Sequence, residues 1–167
     1  MVSAYTCSHL PLRAPAPRLE GLQMALVAVE WGNERSGHNW EVKTRTFQNL
    51  AGEKDRVGGD GDGKGAGVKG GMVHSLRSLG SAALNCCAVA RGDLDAYWEG
   101  GCWAWDVAAG WVIVEESGGR VVGGNEGEWE ARIDGRRYLV VRGVGEGGGQ
   151  EGFVREFWGM VAGRLEY

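Results

Sequence analysis

Residues 80–119 read GSAALNCCAVARGDLDAYWEGGCWAWDVAAGWVIVEESGG, and within this stretch helix-type and strand-type patterns alternate. Ser81 stands where an N-cap hydroxyl opens a helix and Gly92 where a left-handed residue stops one, so the spacing predicts a helix over 81–91. Its side chains are small, which allows another element to pack closely. Asp95-Ala-Tyr-Trp-Glu99 alternates as a strand should, and Gly100-Gly101 ends it. Asp106 then precedes the apolar run Val107–Glu116, predicting a helix over 107–116 with Asp106 at its cap and Gly118-Gly119 at its stop.

The flanks repeat the alternation. Met24-Ala-Leu-Val-Ala-Val-Glu30 is a nearly continuous apolar run with β-branched residues, the pattern of a strand buried on both faces. Ser36 to Leu50 is helical in composition, with Trp40, Val42, Phe47 and Leu50 as inward positions. Val73–Ser78, Arg120–Gly123 and Tyr138–Arg142 predict three further strands. Gln150–Arg164 closes the chain with an amphipathic helix, placed over 151–163, on Phe153, Phe157, Met160 and Val161. Strands alternating with helices make a layered α/β domain in which 24–30, 95–99 and 138–142 share one sheet.

The chain has 167 residues, one domain's worth, and 18 basic against 22 acidic side chains give a net charge of −4. That balance holds no basic surplus for a phosphate backbone, which argues against nucleic acid as the partner. No apolar run reaches the roughly 18 residues of a membrane helix, and no signal-peptide core precedes the prolines, so the expected partners exclude membrane and the expected location is cytoplasmic. The four cysteines, at 7, 86, 87 and 102, fit no metal spacing and read as buried thiols in a reducing compartment. Residues 1–20 hold all three prolines and read as an extended entry segment before a folded region over 21–167.

Glycine is in excess, at 31 residues, and the excess concentrates in a loop over 52–71, where eight of the fourteen residues from Gly58 to Gly71 are glycine. Three strings there imitate known sites. Gly58 to Lys64 spells G-x-x-x-x-G-K, but Gly65 replaces the hydroxyl that a P-loop uses for magnesium. Gly65-x-Gly67-x-x-Gly70 lacks the strand that must feed a dinucleotide fingerprint. Asp60-x-Asp62 resembles a calcium loop whose twelfth position is Gly71 instead of glutamate. All three read as a solvated loop, and a nucleotide-binding module built on it is only a foil.

Chemistry points instead to Glu99 at a strand end and Asp106 at a helix start, joined by Gly100-Gly-Cys-Trp-Ala-Trp105. Backbone donors and the helix dipole keep a carboxylate at a helix N-terminus ionised, as a hard-cation ligand must be.

The strings GSAALN (80–85), DAYWEGG (95–101), WDVAAG (105–110) and EESGG (115–119) resemble the C-terminal half of the inositol monophosphatase family of magnesium-dependent phosphomonoesterases. The wording of GGCWAWD is most similar to that family's quinate-cluster branch. The resemblance implies a layered mixed-sheet sugar-phosphatase fold, present here as its C-terminal half. It implies Asp106 as a ligand of Mg2+, and Glu99 as the acceptor of a substrate inositol hydroxyl. It also implies Gly80, Ser81 and Ala82 as the helix start lining the sugar side. Inositol or sugar phosphates would be the ligands, and the intact family member would be a homodimer. Arg77, on the strand before that helix, is expected to be a structural ion-pair partner.

The family's earlier glutamate and its D-P-[IL]-D-G-[TS] motif, which supply further metal ligands, the phosphate cradle and the water-orienting threonine, are not in this sequence. One aspartate is too few for a magnesium ion, which keeps its water unless several hard oxygens are offered. The chain is therefore expected to be a truncated piece, inactive alone, that exposes sheet edges and apolar faces. The competing expectation is a non-catalytic remnant that dimerises or binds sugar phosphates through Glu99, Ser81 and Asp106.

Overall fold

The computed structural model describes residues 17–53, 70–145 and 148–167. Most of the extended entry segment and most of the glycine loop, with nearly all of its three imitative strings, lie outside the described residues. Strand β1 spans Leu26–Val29, after a short 3-10 turn at Leu22–Met24, and is followed by helix α1 at His38–Ala51 and strand β2 at Ser75–Arg77. Helix α2 (Ala82–Arg91), strand β3 (Ala96–Gly100) and helix α3 (Ala104–Glu116) follow. Strands β4 (Arg120–Gly123) and β5 (Arg137–Val141) and helix α4 (Gln150–Met160) complete the order.

The five strands form one mixed sheet in the order β2-β1-β3-β5-β4. β1 runs parallel to both β2 and β3, and β5 runs antiparallel to β3 and β4. Side chains alternate across the pleat. Val27, Val29, Ala96, Trp98, Leu139 and Val141 face the cluster closed by Phe153, Val154, Phe157 and Trp158 of α4 with Val42 and Leu50 of α1. Ala28, Tyr97, Tyr138 and Val140 face the opposite cluster, closed by Cys86 and Val89 of α2 with Val107 and Val114 of α3. The result is three layers, helix on sheet on helix. The three strands expected to share a sheet do so, and β3 is buried along its whole length.

Local chemistry explains the element ends. The Ser81 hydroxyl accepts from the Leu84 N–H and Gly92 takes the left-handed conformation, so α2 starts one residue after the expected 81, with Ser81 as its cap, and ends at the expected Arg91. α4 stops at Met160, short of the expected 163, because α1 intercepts the chain. Asn49 donates to the Met160 carbonyl at 2.8 Å, and the Ala162 N–H turns to Thr46 Oγ1 at 3.0 Å.

α2 and α3 pack closely. A Cβ on Gly110 would lie 2.5 Å from Cys86 Cβ, so the glycine is required by the approach of the two helices. Gly110→Val should therefore lower stability by about 1–3 kcal/mol, the usual cost of overpacking. Urea unfolding checks it, with a shifted midpoint and an unchanged slope as the expected result.

Exposed apolar side chains remain on these helices. Leu84, Trp105 and Val112 are 61%, 75% and 58% accessible.

Candidate ligand cleft at the carboxyl ends of the parallel strands

A cleft of about 780 Å3 opens where β1 and β3 end and α2 and α3 begin. In open α/β sheets this is where ligands bind, because strand ends and helix starts leave free polar groups there. Gly80, Ser81 and Ala82 line it from the start of α2, Glu99 from the end of β3 and Asp106 from the start of α3. All five residues singled out in the sequence thus border one cavity.

Asp106 differs from its expected position. α3 begins at Ala104 with Trp103 as its cap, so Asp106 is the third helical residue. Its carboxylate reaches back to accept the Trp103 N–H at 2.8 Å, the acidic half of a capping box. The side chain is exposed, so its remaining oxygen lone pairs are open to the cleft.

Glu99 is buried, and the Tyr97 hydroxyl donates to it. Burial pushes its pKa up, the negative charges of Glu30 and Asp106 push the same way, and Tyr97 and Lys43 oppose them. An unfolded glutamate releases its proton near about pH 4.3, whereas folded Glu99 holds it to higher pH. Between those values the folded state binds more protons, so folding stability falls as pH rises, and the penalty is complete above the folded pKa. Glu99→Gln should therefore raise stability at about pH 8 and leave it unchanged near about pH 3.5, where both forms are neutral. Denaturant titrations at the two pH values check this. An equal gain at both would assign the effect to packing.

Three contributors escaped the sequence reading. Glu30, 4% exposed, directly follows β1 and accepts from Ser78 Oγ at 2.8 Å, Leu79 N at 2.7 Å, Gly80 N at 2.9 Å and Asn85 Nδ2 at 2.8 Å. It clamps the turn that presents Gly80 and Ser81. A carboxylate closing an otherwise apolar strand was the available signal. Lys43, 1% exposed, donates to the Gly100 carbonyl at 2.8 Å and the Trp31 carbonyl at 3.2 Å, and burial lowers its pKa. Tyr167 lies over Gly100 and Gly101, where a Cβ on Gly100 would come within 2.6 Å of its ring, and its hydroxyl donates to Glu34 at 2.6 Å. The glycine pair therefore serves this aromatic contact as well as ending the strand.

Other charged side chains lie elsewhere. Arg77 is exposed and hydrogen-bonds Ser75 Oγ and the Leu76 carbonyl. It forms no ion pair among the described residues, where a structural ion pair was expected. Glu128 pairs with Arg137 and Arg164, and Asp93 with Arg91, outside the cleft.

The described residues alone do not fit a magnesium ion. They include no group of three or more His, Cys, Asp or Glu that could hold a metal, and Asp106 offers one carboxylate where several hard oxygens are needed.

A family model described as the inositol monophosphatase family matches residues 22–161. The chain is 50% identical over 149 residues to Inositol monophosphatase 2 of Saccharomyces cerevisiae, covering 87% of this chain and 46% of that protein. It is 42% identical over 170 residues to Quinic acid degradation cluster protein x of Neurospora crassa, covering 92% of this chain and 47% of that one. The identity to the yeast protein is higher than that to the quinate-cluster protein, so the likeness is not confined to the quinate-cluster branch. Among solved structures, Mycobacterium tuberculosis SuhB superposes with a TM-score of 0.55 at 25% identity, over 87% of this chain and 43% of its own. The chain spans about half the length of the curated relatives it matches.

Proposed function

The chain belongs to the inositol monophosphatase family, and from that premise we propose that it supplies the ring-recognition half of a magnesium-dependent phosphomonoesterase site. The ligand is an inositol or sugar phosphate. Glu99 accepts a ring hydroxyl, the Gly80–Ala82 helix start borders the ring, and Asp106 contributes one oxygen to a magnesium set completed by other carboxylates. When bound, the ion supplies charge stabilisation to phosphate-ester hydrolysis. What carries this reading is the convergence of Gly80, Ser81, Ala82, Glu99 and Asp106 on one cleft, with Glu30 clamping the turn beneath the first two.

The chain alone should bind inositol 1-phosphate without hydrolysing it, because the described residues offer no full metal set. Calorimetric titration and a phosphate-release assay with magnesium test both parts. Phosphate release abolished by Asp106→Asn would overturn the second. The same want of metal ligands favours a second reading, a non-catalytic sugar-phosphate-binding remnant. A D-P-x-D-G-T segment encoded in frame with this chain would decide between them, in favour of the phosphatase.

Among the described residues no helix is long and apolar enough to cross a membrane. A cytoplasmic setting belongs to this reading and is supported by the free thiols of Cys86, Cys87 and Cys102. So does a homodimer, supported by the uncovered apolar face of α2 and α3.

A further inference from the structure

Arg136 is a fixed cation at the cleft that no acid among the described residues neutralises. Its guanidinium stacks on Trp103, with Cζ 3.7 Å from the ring centroid, and lies 5.2 Å from the Tyr167 centroid. Two hydrogen bonds pin the residue to Gly101: Nη2 donates to the Gly101 carbonyl at 2.7 Å, and the Gly101 N–H donates to the Arg136 carbonyl at 2.7 Å. The Arg136 N–H donates to the Tyr138 hydroxyl at 3.1 Å. The charged group is thereby held at a set position two residues from Glu99.

Its neighbour Arg137 is neutralised by Glu128 at 3.0 Å, and Arg142 by Asp95 at 2.6 Å. Arg136 has no carboxylate partner among the described residues, although Glu30, Glu34, Glu99 and Asp106 line the same cleft. Its buried Nε has no hydrogen-bond partner either. A guanidinium has five N–H donors, so most of its capacity is unspent.

The backbone adds a second sign. Arg136 sits at φ 55°, a conformation that glycine or asparagine adopts at lower cost. Non-glycine residues held in this region concentrate at ligand sites, where the side chain repays the strain.

We propose that Arg136 forms an oxyanion subsite at the rim of the cleft, taking a second anionic substituent of a ring whose hydroxyls face Glu99 and Ser81. The inference rests on the ring-recognition reading and narrows its ligand class to cyclitols or sugars bearing two oxyanions. Planar guanidinium matches a phosphate or carboxylate edge, and aromatic stacking holds that plane without consuming its donors.

Calorimetric titration of the whole chain with myo-inositol, inositol 1-phosphate and inositol 1,4-bisphosphate tests it, with quinic acid distinguishing a carboxylate from a phosphate. The bisphosphate should bind about tenfold or more tightly than the monophosphate, as one charge-assisted contact implies. In R136Q and in R136N, which relieves the backbone strain and so guards against misfolding, the two phosphates should bind within about twofold of each other. R136K should keep part of the preference through its charge. Equal affinities in the wild-type chain, or a preference that survives in R136Q and R136N, would overturn the subsite while leaving ring recognition intact. If none of the ring ligands bound the wild-type chain, both readings would fall.

Discussion

Asp95→Ala should cost about 3–5 kcal/mol of folding stability, because it strips the partner from a buried guanidinium. Arg142 is 5% exposed, and its Nε donates to Asp95 Oδ1 at 2.6 Å. The other carboxylate oxygen accepts the Leu26 N–H at 2.7 Å, so one side chain ties the entrance of β1 to the exit of β5 across β3. Alanine leaves both donors unsatisfied in a region with little water, and an unpaired buried charge is the expensive part of that loss. Asp95→Asn is the informative companion, since the amide oxygen still accepts one bond but carries no charge. It should fall between the wild type and alanine. Urea midpoints for the three proteins check the ordering, and an alanine loss under about 1 kcal/mol would show that Arg142 escapes to solvent.

Asp95 also shows what a linear reading can and cannot reach. Ser81, Gly92 and the Gly118-Gly119 stop act on backbone groups within a few residues, so their chemistry is visible locally. The strands 24–30 and 138–142 were legible as apolar runs, because burial on both faces leaves few polar positions to break them, and 95–99 was legible by its alternation. Contacts made across the fold leave no such trace. Lys43 occupies a helix position that reads as solvated, yet the Gly100 carbonyl, 57 residues away, captures its ammonium. Glu30 looks like an ordinary strand end until donors 48–55 residues later close on it.

The candidate site was legible to the same degree. Glu99, Ser81 and Asp106 could be singled out because strand ends and helix starts are predictable, and topology brings those ends together. Capping position was the less predictable detail: an aspartate before an apolar run can serve as the cap or, as Asp106 does, fold back from the third helical position. Arg136 and Tyr167 were invisible because their role depends on β5 and the closing segment reaching the glycine pair after β3.

In a protein that also supplies the D-P-[IL]-D-G-[TS] half, Asp106→Asn should reduce phosphate-ester hydrolysis far more than Glu99→Gln. In the proposed reading the two side chains meet different parts of the ligand. Asp106 is exposed at the start of α3 with lone pairs open to the cleft, so the amide variant removes a full negative charge from the proposed magnesium set. Charge stabilisation by such an ion is worth several kcal/mol, which places the loss at about a thousandfold or more. The asparagine oxygen can still accept the Trp103 N–H, so the start of α3 should survive and the loss should not be one of folding. Glu99→Gln keeps an acceptor for a ring hydroxyl and relieves a buried carboxylate, so its cost should be nearer one hydrogen bond to a charged group, about 1.5–3 kcal/mol. That cost should appear mainly as altered preference among ring ligands. Kinetics of both variants with magnesium varied separate these outcomes. Equal losses, or an unchanged magnesium requirement in Asp106→Asn, would remove Asp106 from the metal set and return it to the role its geometry already gives it, the carboxylate that starts α3.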